Sequence, residues 1–442
     1  MEDLILDQPK MANTSKRSAL IDRYVQRQPN TIDSYIEEIN SPKYLFWDKA
    51  RYRTIPEAYT AEDAWLTARI VRKIGSVKSP VQDMSGEYYT YLRLAHFDKL
   101  LHHIDLEIGG KFLVHASTSD ERQRYLSRGI IEEAIASSQL EGANTSRQYA
   151  KKMIAERIKP RTNSEKMILN NYHTMNYIET DLKKRPLSIQ LLCEIHKALT
   201  EGTLTDPEDE GRIRLVGDPI NVIYDEKIAH RGAEREFMDE QLPRLIAYAN
   251  DDSEFIHPII KASILHFWIG YLHPFADGNG RLARTIFYWY LFKHEYWGVA
   301  FLPISMVIKR AKRQYAYSYL YAEQGGKDLT YFIDFSIHRL EIAMNEFNTY
   351  IDTLLAENTS IDNRLGDYPP LNERQKQVLY YVLQDNSHYT TEISHRTLND
   401  IAKGTSRTDL HKLRDLKLLQ PLRDGKMVKY YASEKLQQLM AE

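Results

Sequence analysis

Cysteine is almost missing from this chain: 442 residues hold one, Cys193. That excludes an intramolecular disulfide framework and fits a reducing compartment. Cys193 falls in the apolar pattern Ile189, Leu192, Ile195, so it reads as core rather than nucleophile. Long apolar runs are missing too. No stretch approaches the roughly 18 uninterrupted apolar residues of a membrane-spanning helix. An excess of either charge is also absent: 59 Lys and Arg against 61 Asp and Glu give a formal net charge of -2. Nothing global pulls the chain toward nucleic acid or a membrane surface, so any such binding must be regional. The opening MEDLILDQPKMANTSKR carries acids and a proline where a signal peptide needs an apolar core. The expectation is a cytoplasmic protein with no membrane partner.

What the chain does have is length for two or three domains and one unusually dense stretch, HPFADGNGRLAR at 273–284. The segment before it repeats Ile260, Ile264, Phe267, Trp268 and Tyr271 at helical spacing, which predicts a helix ending near His273. Pro274 helps turn the chain out of that helix. From Arg281 a second helix is predicted, with Ile286, Phe287, Tyr290 and Leu291 inward. A tight polar loop that opens a helix leaves amide N–H groups without backbone acceptors, a ready seat for phosphate oxygens.

Each residue type in the loop suits that ligand. Gly278 and Gly280 let a diphosphate approach the backbone. Asp277 is a hard oxygen ligand for Mg2+ shared with phosphate. Arg281 and Arg284, three apart on the new helix, are two fixed positive clamps. His273 is the group that can accept a proton near neutral pH. Together they describe nucleotidyl or phosphoryl transfer.

The stretch resembles the signature HxFx[DE]GNGRxxR of the Fic family at His273, Phe275, Asp277, Gly278, Asn279, Gly280, Arg281 and Arg284. The resemblance implies a Fic-type helical core that transfers AMP from ATP to a Ser, Thr or Tyr hydroxyl of a target protein, self-modification included. Within it His273 deprotonates the hydroxyl, Asp277 holds Mg2+, and Asn279 with the loop amides orients the phosphates. Phe275 anchors the loop. The related death-on-curing toxins, which phosphorylate, carry Lys where this chain has Gly280, so the departure favours AMP transfer.

A second resemblance lies upstream. In SRGIIEEAIASSQLEGANTS, Ile131, Ala134, Ile135 and Ser138 keep a helical period, and Gly142 makes a stop after Glu141. Ser137, Glu141 and Gly142 fit the Fic inhibitory motif [ST]xxxE[GN]. The resemblance implies that Glu141 competes with the γ-phosphate of ATP for Arg284, and in some Fic proteins the same glutamate aligns water to remove AMP. Further on, Val222, Ile223 and Tyr224 are β-formers between turn residues, read as a hairpin. The resemblance makes it a flap that pairs with the target backbone, registering the target more than selecting it.

The remaining chain gives coarser expectations. The first twenty or so residues read as polar and mobile, followed by a helical N-terminal region without strands, with helices over 61–74 and 89–108. His102 and His103 are adjacent and so poorly placed for chelation on a helix. Helices are predicted over 305–325 and 329–355. Tyr315, Tyr317, Tyr319 and Tyr321 read mostly as packing, with room for one ring against adenine. Residues 356–371 have linker composition. After them come three helical patterns and a hairpin around the Asp424-Gly425 turn, the plan of a winged helix-turn-helix. Basic residues crowd 403–429, and Arg407, Thr408, His411 and Lys412 would face a DNA groove if Ser406 opens a recognition helix. Protein docking or homodimer formation are the other uses of such a module.

The resulting expectation is a mainly α protein: helical region 1–120, Fic catalytic core 121–355 with a small β-hairpin flap, linker 356–371, and winged-helix tail 372–442. ATP is the substrate and Mg2+ the metal. The rival reading is a nucleotide-sensing DNA-binding regulator with a non-catalytic core, against which the intact His273 argues, since pure sensing needs clamps but no base. A further rival uses another nucleotide, because nothing in the loop reads the base.

Overall fold

The computed structural model describes residues 1–26, 32–108, 119–218, 220–366, 368–425 and 427–441. Lys426, within the basic stretch 403–429, lies outside the described residues. The chain is mainly helical and divides into two units that alternate along the sequence. The first is Met1–Asp105, Ile178–Glu295 and Ile308–Glu341, and the second is Leu106–Tyr177, Tyr296–Val307 and Ile342–Glu442. No described helix is long and apolar enough to cross a membrane.

The first unit is built on two antiparallel helices, Pro258–Leu272 and Asn279–Lys293, joined by the polar loop. Both are buried almost all round. Trp268, Phe267, Leu282, Ile286 and Trp289 have essentially no exposure, which is why the helices are apolar beyond a single stripe. Trp289 Nε1–H still finds the Leu182 carbonyl at 3.1 Å. The helix Ile189–Thr200 packs on the second of the pair. Ser188, a capping residue directly before the apolar period of this helix, is its N-cap and accepts from the Leu191 N–H.

Two small sheets complete this unit. β1 (Val77–Gln82) pairs antiparallel with β2 (Tyr88–Tyr91). β3 (Asn221–Tyr224) pairs antiparallel with β4 (Lys227–Arg231) through a two-residue turn, Asp225-Glu226, both at positive φ. The β1–β2 hairpin corrects the expectation of a strandless N-terminal region with a helix over 89–108. Tyr89 and Tyr91 alternate inward in a strand, and the helix begins only at Ala95–Leu106. The mobile N-terminus is corrected as well. Ile228 of β4 donates to the Glu2 carbonyl (2.9 Å) and accepts from the Leu4 N–H (2.8 Å), and Thr14–Val25 is a helix capped by Asn13. Polar composition there reflects one solvent side, not lack of structure.

In the second unit, Ser119–Leu140 runs to a stop at Gly142, which sits at φ 95. Ala143 N–H returns to the Ser138 carbonyl at 3.0 Å. The helix Thr330–Arg364 continues through nine residues of the predicted linker. Leu354, Ile361 and Leu365 keep its apolar side going, and the last two join the tail core of Leu379, Leu410, Leu413 and Leu418. The predicted helix over 305–325 is two, Ile304–Arg310 and Lys312–Gln324, broken at Ala311. The tail holds Glu373–Leu383, Glu392–Asn399 and Lys403–Asp415, then β5 (Leu419–Asp424) paired with β6 (Met427–Ala432), and Glu434–Ala441.

Candidate active site

The loop between the two central helices begins at His273, which caps Pro258–Leu272 in a left-handed conformation, φ 47. A non-glycine residue there is unusual and concentrates at functional sites. The turn brings the imidazole back over its own helix, so that Nδ1–H donates to the Gly270 carbonyl at 2.5 Å. That bond fixes the tautomer, and Nε2 carries the lone pair. Tautomer control by a backbone carbonyl is the preparation a general base needs.

The loop is clasped from within. Asn279 Oδ1 accepts from the Phe275 N–H at 2.9 Å while its Nδ2 donates to the Phe275 carbonyl at 2.8 Å. The Asn279 side chain is therefore committed to holding the loop, and contact with phosphate falls to the backbone. Gly278 sits at φ 82 as N-cap, and its N–H donates to Asp277 Oδ1 at 2.6 Å. The first intrahelical bond is Leu282 N–H to the Gly278 carbonyl. The Asn279 and Gly280 amides precede it and have no intrahelical acceptor, so the loop is built as an anion seat. Asp277 is exposed at its rim.

Arg281 and Arg284 are both almost fully buried. Arg281 Nη1 donates to the Leu199 carbonyl at 2.7 Å, tying the loop to the end of Ile189–Thr200. Arg284 lies where its charge reaches His266 and Tyr319. Burial, with the Arg284 charge adding to it, pushes the His266 imidazole down to about 3. His266 Nε2 shares a proton with the Tyr315 hydroxyl at 2.8 Å.

Three groups that the sequence reading passed over hold this loop. His196 stacks flat on Phe275 at 3.8 Å. Its Nδ1 accepts from the Gly211 N–H (3.0 Å) and its Nε2–H donates to the Asp277 carbonyl (2.7 Å). Burial pushes it down to about 4, the Asp277 carbonyl opposing and the Arg281 charge assisting. Arg214 donates from Nε to the His273 carbonyl at 2.6 Å and from Nη2 to the Leu272 carbonyl at 3.2 Å. Its N–H also donates to the Pro274 carbonyl at 3.0 Å. His230, on β4, reaches Glu323 Oε2 and the Tyr271 carbonyl, both at 2.8 Å. Burial opposes its charge, but the Glu323 carboxylate and the Tyr271 carbonyl outweigh that and raise its pKa. Its ring centroid is 6.1 Å from that of His273. The one sequence signal for these residues was polarity at positions the helical and turn patterns would bury.

The other predicted residues fall as follows. In the hairpin, Val222 and Tyr224 are half-buried and Ile223 is 55% exposed. Among the described residues β3 has no second strand partner, whereas β4 is flanked by Glu2–Leu4 backbone. Ser137 is buried and Glu141 exposed at the end of Ser119–Leu140, in the second unit. Arg407 Nε donates to Glu392 Oε1 at 3.1 Å and His411 lies 4.0 Å from the same oxygen. Thr408 bonds the Gly404 carbonyl and Lys412 the Pro370 carbonyl. The four tyrosines are packed: Tyr319 stacks on Phe267, Tyr321 on Phe46, and Tyr317 meets Tyr224 edge-on. His102 and His103 face outward.

The unit is thus a helical domain in which a polar turn carrying a tautomer-fixed histidine joins two buried helices. Residues 186–291, which contain all of this loop, match the model of the Fic/DOC family, so the chain carries a Fic domain. Over 101 residues it is 34% identical to "Protein adenylyltransferase fic-1" of Caenorhabditis elegans, covering 23% of this chain and 18% of that protein. Over 193 residues it is 26% identical to the Caenorhabditis briggsae protein of the same name, covering 43% and 34%. The aligned stretches thus span well under half of these relatives. A Fic family protein from Desulfovibrio desulfuricans G20 shares the fold with TM-score 0.50 at 18% identity, over 78% of this chain and 98% of that one. Fic-1 from C. elegans matches with TM-score 0.50 at 18% identity, over 77% and 94%.

Proposed function

We propose that this protein transfers AMP from ATP to a Ser, Thr or Tyr hydroxyl of a target protein. The observation that carries the reading is His273, whose left-handed turn and Nδ1–H bond to Gly270 leave Nε2 as the basic nitrogen beside a loop of helix-opening amides. Nε2 takes the hydroxyl proton. The hydroxyl oxygen then bonds to the α-phosphorus and the bond to pyrophosphate breaks. The Asn279 and Gly280 amides and the buried guanidinium groups of Arg281 and Arg284 hold the phosphates and offset the charge that builds on them. Asp277 is the residue that would hold Mg2+; an exposed carboxylate at the rim of a phosphate seat has the chemistry for it. A bound Mg2+ would supply neutralisation of phosphate charge there. The open edge of β3 supports a flap that adds the target as a strand.

Glu141 is proposed as the restraint. It is exposed just past the end of Ser119–Leu140 while Ser137 is buried, and it is the carboxylate of that motif. Charge-assisted hydrogen bonds contribute roughly 1.5–3 kcal/mol, so its loss should raise productive ATP binding about ten- to a hundredfold. The same residue is a candidate for aligning water to remove AMP. The three helices and hairpin of the tail support a winged-helix module. Glu392, which engages Arg407 and His411, weighs toward protein docking over DNA contact there.

The test uses the Fic loop directly. The chain is incubated with ATP labelled at the α- or γ-phosphate and a lysate, comparing the unmodified chain with H273A. Protein label from the α-position that is lost in H273A supports AMP transfer. Label from the γ-position assigns phosphorylation instead.

A further inference from the structure

Away from the Fic loop, the first unit brings together two histidines and an aspartate from distant parts of the chain. His96 comes from Ala95–Leu106, and Asp334 and His338 from one face of Thr330–Arg364, four residues apart. His96 Nε2 lies 2.7 Å from Asp334 Oδ1, and the His338 ring lies beside the same carboxylate, its protonated Nδ1 3.5 Å from Oδ1. One donor atom from each residue falls within 4.8 Å of the others. All three side chains are largely buried, the histidines keeping 10% and 14% exposure.

We propose that His96, Asp334 and His338 form a binding site for a divalent transition-metal ion of the Zn2+ class, separate from the phosphate loop. Four features carry this. First, two imidazoles and one carboxylate are a ligand set for Zn2+ and its neighbours, not for Mg2+ or Ca2+. Second, the ligands are already oriented by outer contacts of the kind metal sites use. His338 Nδ1–H donates to the Asp334 carbonyl at 2.9 Å, which makes Nε2 its lone-pair nitrogen. The Tyr44 N–H donates to Asp334 Oδ2 at 3.2 Å, holding Oδ1 toward the imidazoles. Third, His96 Nδ1 has no hydrogen-bond partner among the described residues, so no protein donor opposes a proton shift onto it that frees the Nε2 lone pair. Fourth, the separations suit a shared ion. Ligands at about 2.0–2.1 Å in a tetrahedron lie roughly 3.3 Å apart, so His96 and Asp334 need part by only about half an ångström. On loading, the His96 proton shifts from Nε2 to Nδ1, and the freed Nε2 lone pair and Asp334 Oδ1 bind the ion. Three protein ligands leave a fourth position for water.

The experiment stays independent of nucleotide chemistry. The full chain is stripped with chelator and dialysed. It is then titrated with Zn2+ against a chromophoric competitor, with metal content measured per chain and Co2+ used as a spectroscopic stand-in. The expected result is one Zn2+ per chain, a tetrahedral Co2+ visible spectrum and a rise in Tm on loading. H96A, D334N and H338A should each lose tenfold or more in affinity. H338A, at a partly exposed position, serves as the variant least able to perturb folding. D277A and the double variant H102N/H103N should bind like the unmodified chain. Equal affinity in H338A and the unmodified chain, or loss of binding only in H102N/H103N, would overturn the proposal.

Discussion

At the scale of single residues, the loop is held by histidines whose protonation is set in opposite directions. His196 and His266 are pushed down to about 4 and about 3 by burial. Their folded values lie below the ordinary 6.5, so the stability they contribute is present above about pH 6.5 and is lost as the pH falls toward 4. For His196 the loss amounts to at most roughly 3 kcal/mol. Urea midpoints should therefore drop between pH 7 and pH 4.5, and H196Q should flatten part of that slope; an unchanged slope would contradict the assignment. His230 runs the other way. Its folded value is raised, so its contribution is complete below the ordinary value of about 6.5 and is lost as the pH rises through the higher folded value. Hydrogen exchange of the β3–β4 amides should outpace the intrinsic rise at alkaline pH, and H230Q should remove the excess. Exchange in the unmodified chain that follows the intrinsic rate alone would remove His230 as the flap anchor.

At the scale of elements, the turn that opens Asn279–Lys293 depends on Gly278. It sits at φ 82, and a Cβ there would come within 2.9 Å of Thr200 Cγ2 and 3.1 Å of His196 Nε2. G278A should destabilise the first unit by about 1–3 kcal/mol and abolish ATP-dependent labelling, measured by thermal melting and the labelling assay. A neutral G278A would mean the turn is not held as described. In the tail, Asp409 accepts from Arg374, Asn372, Gln375 and His395 at 2.9–3.2 Å. Burial works against its charge, but these bonds hold its carboxyl well below the usual range. D409N should cost the tail about 3–5 kcal/mol, read as faster hydrogen exchange in 372–439 and a lost acid-sensitivity there. The elements that create the loop were legible because their signals are local: helical spacing up to Tyr271, Ser188 as a cap, Gly142 as a stop. What holds the loop was not legible, because His196, Arg214 and His230 act on carbonyls 41–81 residues away, and no local pattern records such bonds. The same holds for the N-terminus, whose pairing with Ile228 is non-local.

At the scale of the whole molecule, Glu141, just past Ser119–Leu140, and the C-terminal tail share one unit. Glu392–Asn399 packs on Ser119–Leu140 and on Arg147–Glu156, with Ser127 Oγ on the Thr397 carbonyl at 3.2 Å. Composition hid this arrangement. A polar stretch looked like a linker, yet Ile361 and Leu365 carry the long helix into the tail core. His273 lies in one of the two units that alternate along the chain and Glu141 in the other. The most direct measurement is protein labelling by ATP carrying label at the α-phosphate, in the unmodified chain, E141G, and E141G combined with H273A. The account predicts labelling about ten- to a hundredfold higher in E141G and none in the double variant. Equal labelling in E141G and the unmodified chain would contradict the restraint, and undiminished labelling without His273 would contradict the base on which the reaction depends.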